Sequence, residues 1–124
     1  MAADWVRFCR GKDFTIEEPH VDVGLDDGRR HRVTVEDQPN AYQLMGIVVR
    51  QGIVATFPDA PIQAWLRNRA TMLVGFRIDR QRRLIAEAWM PKAGLTADEF
   101  QLYLRRLAAE CDRFEYVLTG RDIE

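Results

Sequence analysis

The side chains best able to do chemistry in this 124-residue sequence are few: His20, His31, Cys9, Cys111 and scattered carboxylates. A metal site built from the first four would need ligands in closely spaced pairs, and none of them is paired. No metal and no cofactor is expected. A Cys–His nucleophile needs a thiol of lowered pKa, but Cys111 falls on the apolar side of a helix, where burial raises it. His31 lies in "RRHRV" with strand alternation around it and reads as a surface strand residue. The pairs Glu17–Glu18 and Asp26–Asp27 adjoin turns, which favour carboxylates for local hydrogen bonds. Glu87 stands mid-strand between Ile85 and Trp89 without a second titrating partner. A salt bridge to an arginine of a neighbouring strand is its expected role. Single glycines in "MGIVVRQG" and "LVGF" form no phosphate loop and mark a bulge or close packing. No catalytic residue emerges, and the chain reads as non-enzymatic.

Two arginine clusters, "GRRHR" at 28–32 and "RQRR" at 80–83, raise nucleic acid as the alternative partner. Both coincide with hairpin turns, where solvated charge is ordinary, and no aromatics for base stacking are interleaved with them. Acidic residues outnumber basic ones, 19 to 18, so no overall field draws the chain to a polyanion. The alternative that survives is an accessory or regulatory subunit touching nucleic acid through Arg29, Arg30, Arg82 and Arg83.

The elements that hold these residues follow from periodicity. Trp5, Phe8 and Cys9 suit a short first helix over 4–12. Phe14 and Ile16 alternate weakly, and Pro19 breaks or bends the path. "VDVGLDDGRRHRVTVED" predicts a hairpin turning at "DDGR". "AYQLMGIVVR" predicts a strand covered on both faces. Asp59 as N-cap and Pro61 in the first turn open a short helix, with Ile62, Trp65, Leu66 and Arg69 along one side. Residues 71–90 then form a second hairpin, with Met72, Val74, Phe76 and Ile78 in its first arm and Leu73 among the intervening positions. Thr96 and Glu99 have capping-box spacing, and Leu95 and Phe100 occupy the staple positions. Phe100, Leu104, Leu107, Cys111, Phe114 and Leu118 draw one apolar stripe along the last helix, which Gly120 stops. Arg105, Arg106, Asp112 and Arg113 lie away from it.

The order α-β-β-β-α-β-β-α indicates an α+β fold, an antiparallel β-sheet with flanking helices. At 47% hydrophobic and 30% charged residues the composition is that of a soluble globular protein, and residues 1–124 suit a single domain. The N-terminus meets charge at Asp4 and Arg7, unlike a signal peptide, and no run approaches a membrane span. A cytoplasmic protein is expected.

From "RNRATMLVGF" to "CDRF" the chain resembles the YbjN family, whose fold is like that of bacterial type III secretion chaperones. The resemblance rests on Asn68 near a helix end, on Gly75, Phe76, Ile78 and Asp79 in a strand and turn, and on Leu95, Thr96, Asp98 and Glu99 opening a long helix. It covers the last half by motif and the first half by strand order. The first helix is shorter than that of the secretion chaperones. The resemblance implies a type III secretion chaperone-like fold, a homodimer, and the binding of a client polypeptide without catalysis. It meets an independent reading of the second hairpin, whose sheet carries apolar residues on both faces. With Phe76, Ile78 and Leu84 in the core, the other face exposes Leu73, Ile85 and Trp89. Those three, with Trp65 as a further anchor, form the expected protein interface.

Overall fold

The computed structural model describes residues 4–26, 28–50, 56–71 and 73–119. Alternating apolar and polar residues build β1 (Phe14–Glu17), β2 (His20–Gly24), β3 (Arg30–Asp37), β4 (Ala41–Val49), β5 (Gly75–Ile78) and β6 (Leu84–Pro91). Helix α1 (Asp4–Phe8) precedes them, α2 (Ala60–Ala70) separates β4 from β5, and α3 (Ala97–Thr119) closes the chain. The strands form one antiparallel sheet in the order β1-β2-β3-β4-β6-β5. The class is the α+β fold that the sequence predicts, with one strand more before α2. The weak alternation of Phe14 and Ile16 becomes a full strand because β2 pairs with it from Phe14↔Val23 to Glu17↔His20.

Register sorts the side chains into two faces. One row crosses all six strands as Ile16, Val21, Val33, Gly46, Ala86 and Phe76. The adjacent row, on the opposite face, reads Glu17, His20, Thr34, Met45, Glu87 and Gly75. Helix α3 lies on the first face and buries Phe100, Leu104, Leu107, Cys111 and Phe114 completely. Its start is fixed by the capping box: Glu99 N–H donates to Thr96 Oγ1 at 3.2 Å, and Glu99 Oε1 accepts from Thr96 N–H at 3.3 Å. Leu95 and Phe100 both join the core. Around Phe100 gather Trp5, Phe8 and Tyr42, with ring centroids at 6.2, 5.5 and 5.5 Å, so the five residues of α1 are anchored by aromatic packing.

Gly46 has the packing role expected of a strand glycine. A Cβ there would stand 2.7 Å from Cys111 Sγ, so its absence lets α3 settle onto the sheet. One residue further on, the β4–β6 register shifts between Ile47 and Val49, and Val48 and Val49 are both buried. This bulge accounts for the consecutive apolar run at the end of β4.

Three local expectations change, and a fourth residue, Asp112, keeps its predicted place but is covered. Leu73 is not in a strand: β5 begins at Gly75, and Leu73 sits in the connection at φ 72°, a left-handed conformation costly for a leucine. His31 is buried rather than superficial, because it shares its parity with Val33 and Val35, and Arg30 and Arg32 take the outer positions. Asp59 precedes α2 but its side chain makes no capping hydrogen bond, since its own backbone is already helical. Asp112 lies off the apolar stripe yet is buried, held by an ion pair with Arg29. Met72, Asp27 and Gly120 lie outside the described residues.

Candidate protein-interaction surface

Helix α2 turns its small residues inward and its large ones outward. Ala60 and Ala64 are buried, whereas Ile62, Trp65 and Leu66 are 61%, 58% and 45% exposed. The side that the sequence assigns to Ile62, Trp65 and Leu66 exists, but it faces away from the sheet. Asn68 and Arg67 hold the helix in this attitude. Asn68 donates from Nδ2 to the Phe76 carbonyl at 2.9 Å, and its Oδ1 accepts from Phe76 N–H at 2.6 Å. The amide thus imitates a neighbouring strand along the outer edge of β5. Arg67 places its guanidinium 4.9 Å from the Phe114 ring centroid and 3.9 Å from Glu110. Thr71 closes the helix, with N–H donating to the Arg67 carbonyl at 2.9 Å. A depression of about 240 Å³ opens between Trp65 and Asn68 on the helix and Phe76 and Ile78 on the strand.

Of the four residues expected at the interface, Trp65, Leu73 and Trp89 are exposed, at 58%, 42% and 53%. Ile85 is not. It is 1% exposed, opposite Ile47 and Arg77 in the sheet, and cannot serve as an open anchor in the described chain. The outer face is also more polar than three apolar residues suggest. Glu87 accepts from Arg77 Nε at 2.8 Å and from Gln43 Nε2 at 3.1 Å, the cross-strand salt bridge anticipated for it. Hydrogen bonding to Glu87 raises the Arg77 pKa. At the β1–β3 end, Arg32 bridges Asp22 at 2.9 Å and Glu17 at 2.8 Å, and its hydrogen bond holds the Asp22 carboxyl below the usual range. Trp89 therefore projects from a face that is otherwise laced by ion pairs.

The arginine clusters are largely engaged within the chain. Arg29 pairs with Asp112, Arg30 donates to Thr15 Oγ1 at 2.6 Å, and Arg32 is tied as above. In the second turn Arg83 bonds Asp79 at 2.7 Å. Asp79 also accepts from the N–H groups of Gln81 and Arg83, both at 2.9 Å. Burial pushes the Asp79 carboxyl up, but these hydrogen bonds outweigh it and leave the pKa low. The aspartate of the strand-and-turn motif is thus a turn clasp.

Among the described residues no group of three or more His, Cys, Asp or Glu side chains could hold a metal ion. Burial pushes the Cys9 thiol up to about 12, and burial with the nearby charges of Glu115, Glu110 and Asp112 raises Cys111 further. Neither thiol is a thiolate near neutrality. No described helix is long and apolar enough to cross a membrane.

No protein-family model matches the chain, and no curated protein matches it. Solved structures do. The heterodimeric ExoU–SpcU complex from the type III secretion system of Pseudomonas aeruginosa contains a chain similar to this one at a TM-score of 0.60 and 14% identity, over 85% of this chain and 87% of that one. YbjN from E. coli, described as a putative transcription regulator, aligns at 0.57 and 12% identity over 86% and 78%. The structure of the Yersinia pestis type III secretion chaperone SycH with a stable fragment of YscM2 aligns at 0.53 and 7% identity, over 94% of each chain. The fold of this chain is therefore the one shared by YbjN and the type III secretion chaperone complexes.

Proposed function

We propose that this chain is a non-enzymatic, chaperone-like protein-binding module that pairs with a second copy of itself in the cytoplasm and holds a client polypeptide. The observation that carries the reading is the outward apolar side of α2. Ile62, Trp65 and Leu66 present large side chains on a helix that packs through Ala60, Ala64, Arg67 and Asn68, and exposed apolar clusters of this kind mark partner sites. Tryptophan is enriched among the anchors of such sites. Leu73, next along the chain, is apolar, exposed and held at positive φ, a combination that monomer stability does not favour. Self-association through α2 and Leu73 leaves the rest of the surface, exposed Trp89 included, open to a partner polypeptide. Structures of chaperones solved with protein partners share this fold, which supports the same reading.

Light scattering across a dilution series through the micromolar range tests it. The expected mass is twice that of one chain and persists on dilution, and Trp65→Ser makes it fall toward that of one chain at the dilute end of the series. A monomer at every concentration sinks the homodimer. The nucleic-acid reading is weakened by the ion pairs that occupy Arg29, Arg32 and Arg83. Charge reversal at Arg30 and Arg82, which lie outside those ion pairs, is expected to leave self-association and client binding in place.

A further inference from the structure

The flank of α3 carries a groove separate from the surface of α2. Arg105, Arg113, Tyr116 and Val117 line its helical wall, and Leu25 and Asp26, from the β2–β3 turn, stand across from them. It encloses about 480 Å³, within the range of ligand sites. At 1.5 Å per residue, the helical wall from Arg105 to Val117 is about 18 Å long. Five or so residues of extended chain, at about 3.3 Å each, span the same distance. A helical wall of that length can run alongside an extended polypeptide segment.

The charges along the groove are unequally engaged. At its base Arg29 pairs with Asp112, and Arg105 stands 3.7 Å from Asp13 with its guanidinium 4.9 Å from the Phe14 ring centroid. Among the described residues Arg113, on the helical wall, and Asp26, on the turn wall, make no ion pair. Tyr116 and Val117 are each 56% exposed, and Leu25 is half-buried. The groove thus offers an apolar centre with one open cation and one open anion on opposite walls. Clefts use such complementarity to fix the register of a partner.

We propose that this groove binds a short extended segment of a partner polypeptide, with an apolar side chain seated on Tyr116, Val117 and Leu25, an acidic side chain toward Arg113 and a basic one toward Asp26. The assignment rests on the protein-binding reading above and names where and by what chemistry the client is held.

The probe is a phage-displayed library of random 12-residue peptides, panned on the full purified chain, with recovered peptides synthesised and titrated by calorimetry. Recovered sequences are expected to share an apolar residue flanked by opposite charges. Arg113→Glu should weaken them on the order of tenfold, and reversing the peptide's acidic residue to lysine should restore binding to that variant. Val117→Asp should abolish binding. Both positions are exposed, so circular dichroism should show the fold unchanged. Peptides that bind both variants as tightly as the parent, yet are lost with Trp89→Ala, overturn the groove and leave the protein-binding reading standing. A library with no binder to any part of the chain overturns both. N-acetyl-tyrosine amide binding here as tightly as the peptides makes this a small-molecule site and overturns the polypeptide assignment.

Discussion

Helices α2 and α3 each carry an apolar side that can be read in their sequences, and the fold treats the two sides oppositely. In α3 the large residues of the stripe, Phe100 to Phe114, go inward and the arginines outward. In α2 Ile62, Trp65 and Leu66 go outward, and Ala60 and Ala64 inward. The difference lies in what each helix rests on. Helix α3 packs on β2, β3, β4 and β6, a broad apolar surface that accepts Phe100, Leu104 and Phe114. Helix α2 packs chiefly on β5, an edge strand of four residues. So narrow a support is met by small side chains at close range and by the Asn68 amide. Periodicity specifies that a helix has an apolar side. The breadth of the surface beneath it decides whether that side is used within the chain or left for another.

The largest contrast is expected at Phe100, where α1, β4 and α3 meet. Phe100→Ala removes a fully buried ring and leaves a cavity among Trp5, Phe8 and Tyr42. Loss of about 3–5 kcal/mol in urea unfolding is expected. A loss below about 1 kcal/mol would contradict the inward reading of the α3 stripe.

Gly46→Ala probes the same contact from the sheet side, and about 1–3 kcal/mol of destabilisation is expected from overpacking. The added methyl meets Cys111 Sγ, so Cys111→Ala in the same chain should recover part of the loss. Independent, additive effects in that double-mutant cycle would place the helix elsewhere.

The α3 stripe and its capping box could be read from the sequence because both depend on contacts within one element. The same holds for the Glu87 salt bridge, which needs only an arginine on the adjacent strand. His31 was legible in principle: it shares its parity with Val33 and Val35, and the flanking arginines obscured that. The direction of α2 was not legible, since Ile62, Trp65 and Leu66 give the same spacing whether they face a sheet or a partner. Ile85 and Trp89 illustrate the same limit. They share a face of β6, yet one is covered and the other open, and alternation alone cannot separate them. The groove beside α3 joins residues some ninety positions apart, such as Leu25 and Tyr116, and no local pattern announces it.

On the α2 side, Asn68→Ala withdraws both hydrogen bonds to the Phe76 backbone. At about 1 kcal/mol or less for each, a loss of about 1–2 kcal/mol is expected. Asn68→Asp keeps the acceptor for Phe76 N–H but loses the donor to its carbonyl, and should fall between the two. Hydrogen exchange at Phe76 provides the site-specific readout: its amide should exchange faster in Asn68→Ala and remain protected in Asn68→Asp.

The smallest effect on folding is expected from the residue most important to the proposed pairing. Trp65 is more than half exposed, and its visible contact in the monomer is the Arg69 guanidinium, 5.1 Å from its ring centroid. An exposed cation–π contact contributes about 0.5–1 kcal/mol, so unfolding of the isolated Trp65→Ser chain should change by no more than that. If α2 is where two copies meet, the same substitution removes an aromatic anchor worth about 2 kcal/mol or more at an interface, raising the dimer dissociation constant about 30-fold. The two numbers must be measured separately, unfolding at concentrations where the chain is monomeric and association by light scattering or sedimentation. A residue that served the monomer core, as Phe100 does, would lose stability first and association only as a consequence. Loss of association with stability intact is the signature of an apolar side kept for a partner, and it is the outcome that separates α2 from α3 in function as well as in orientation.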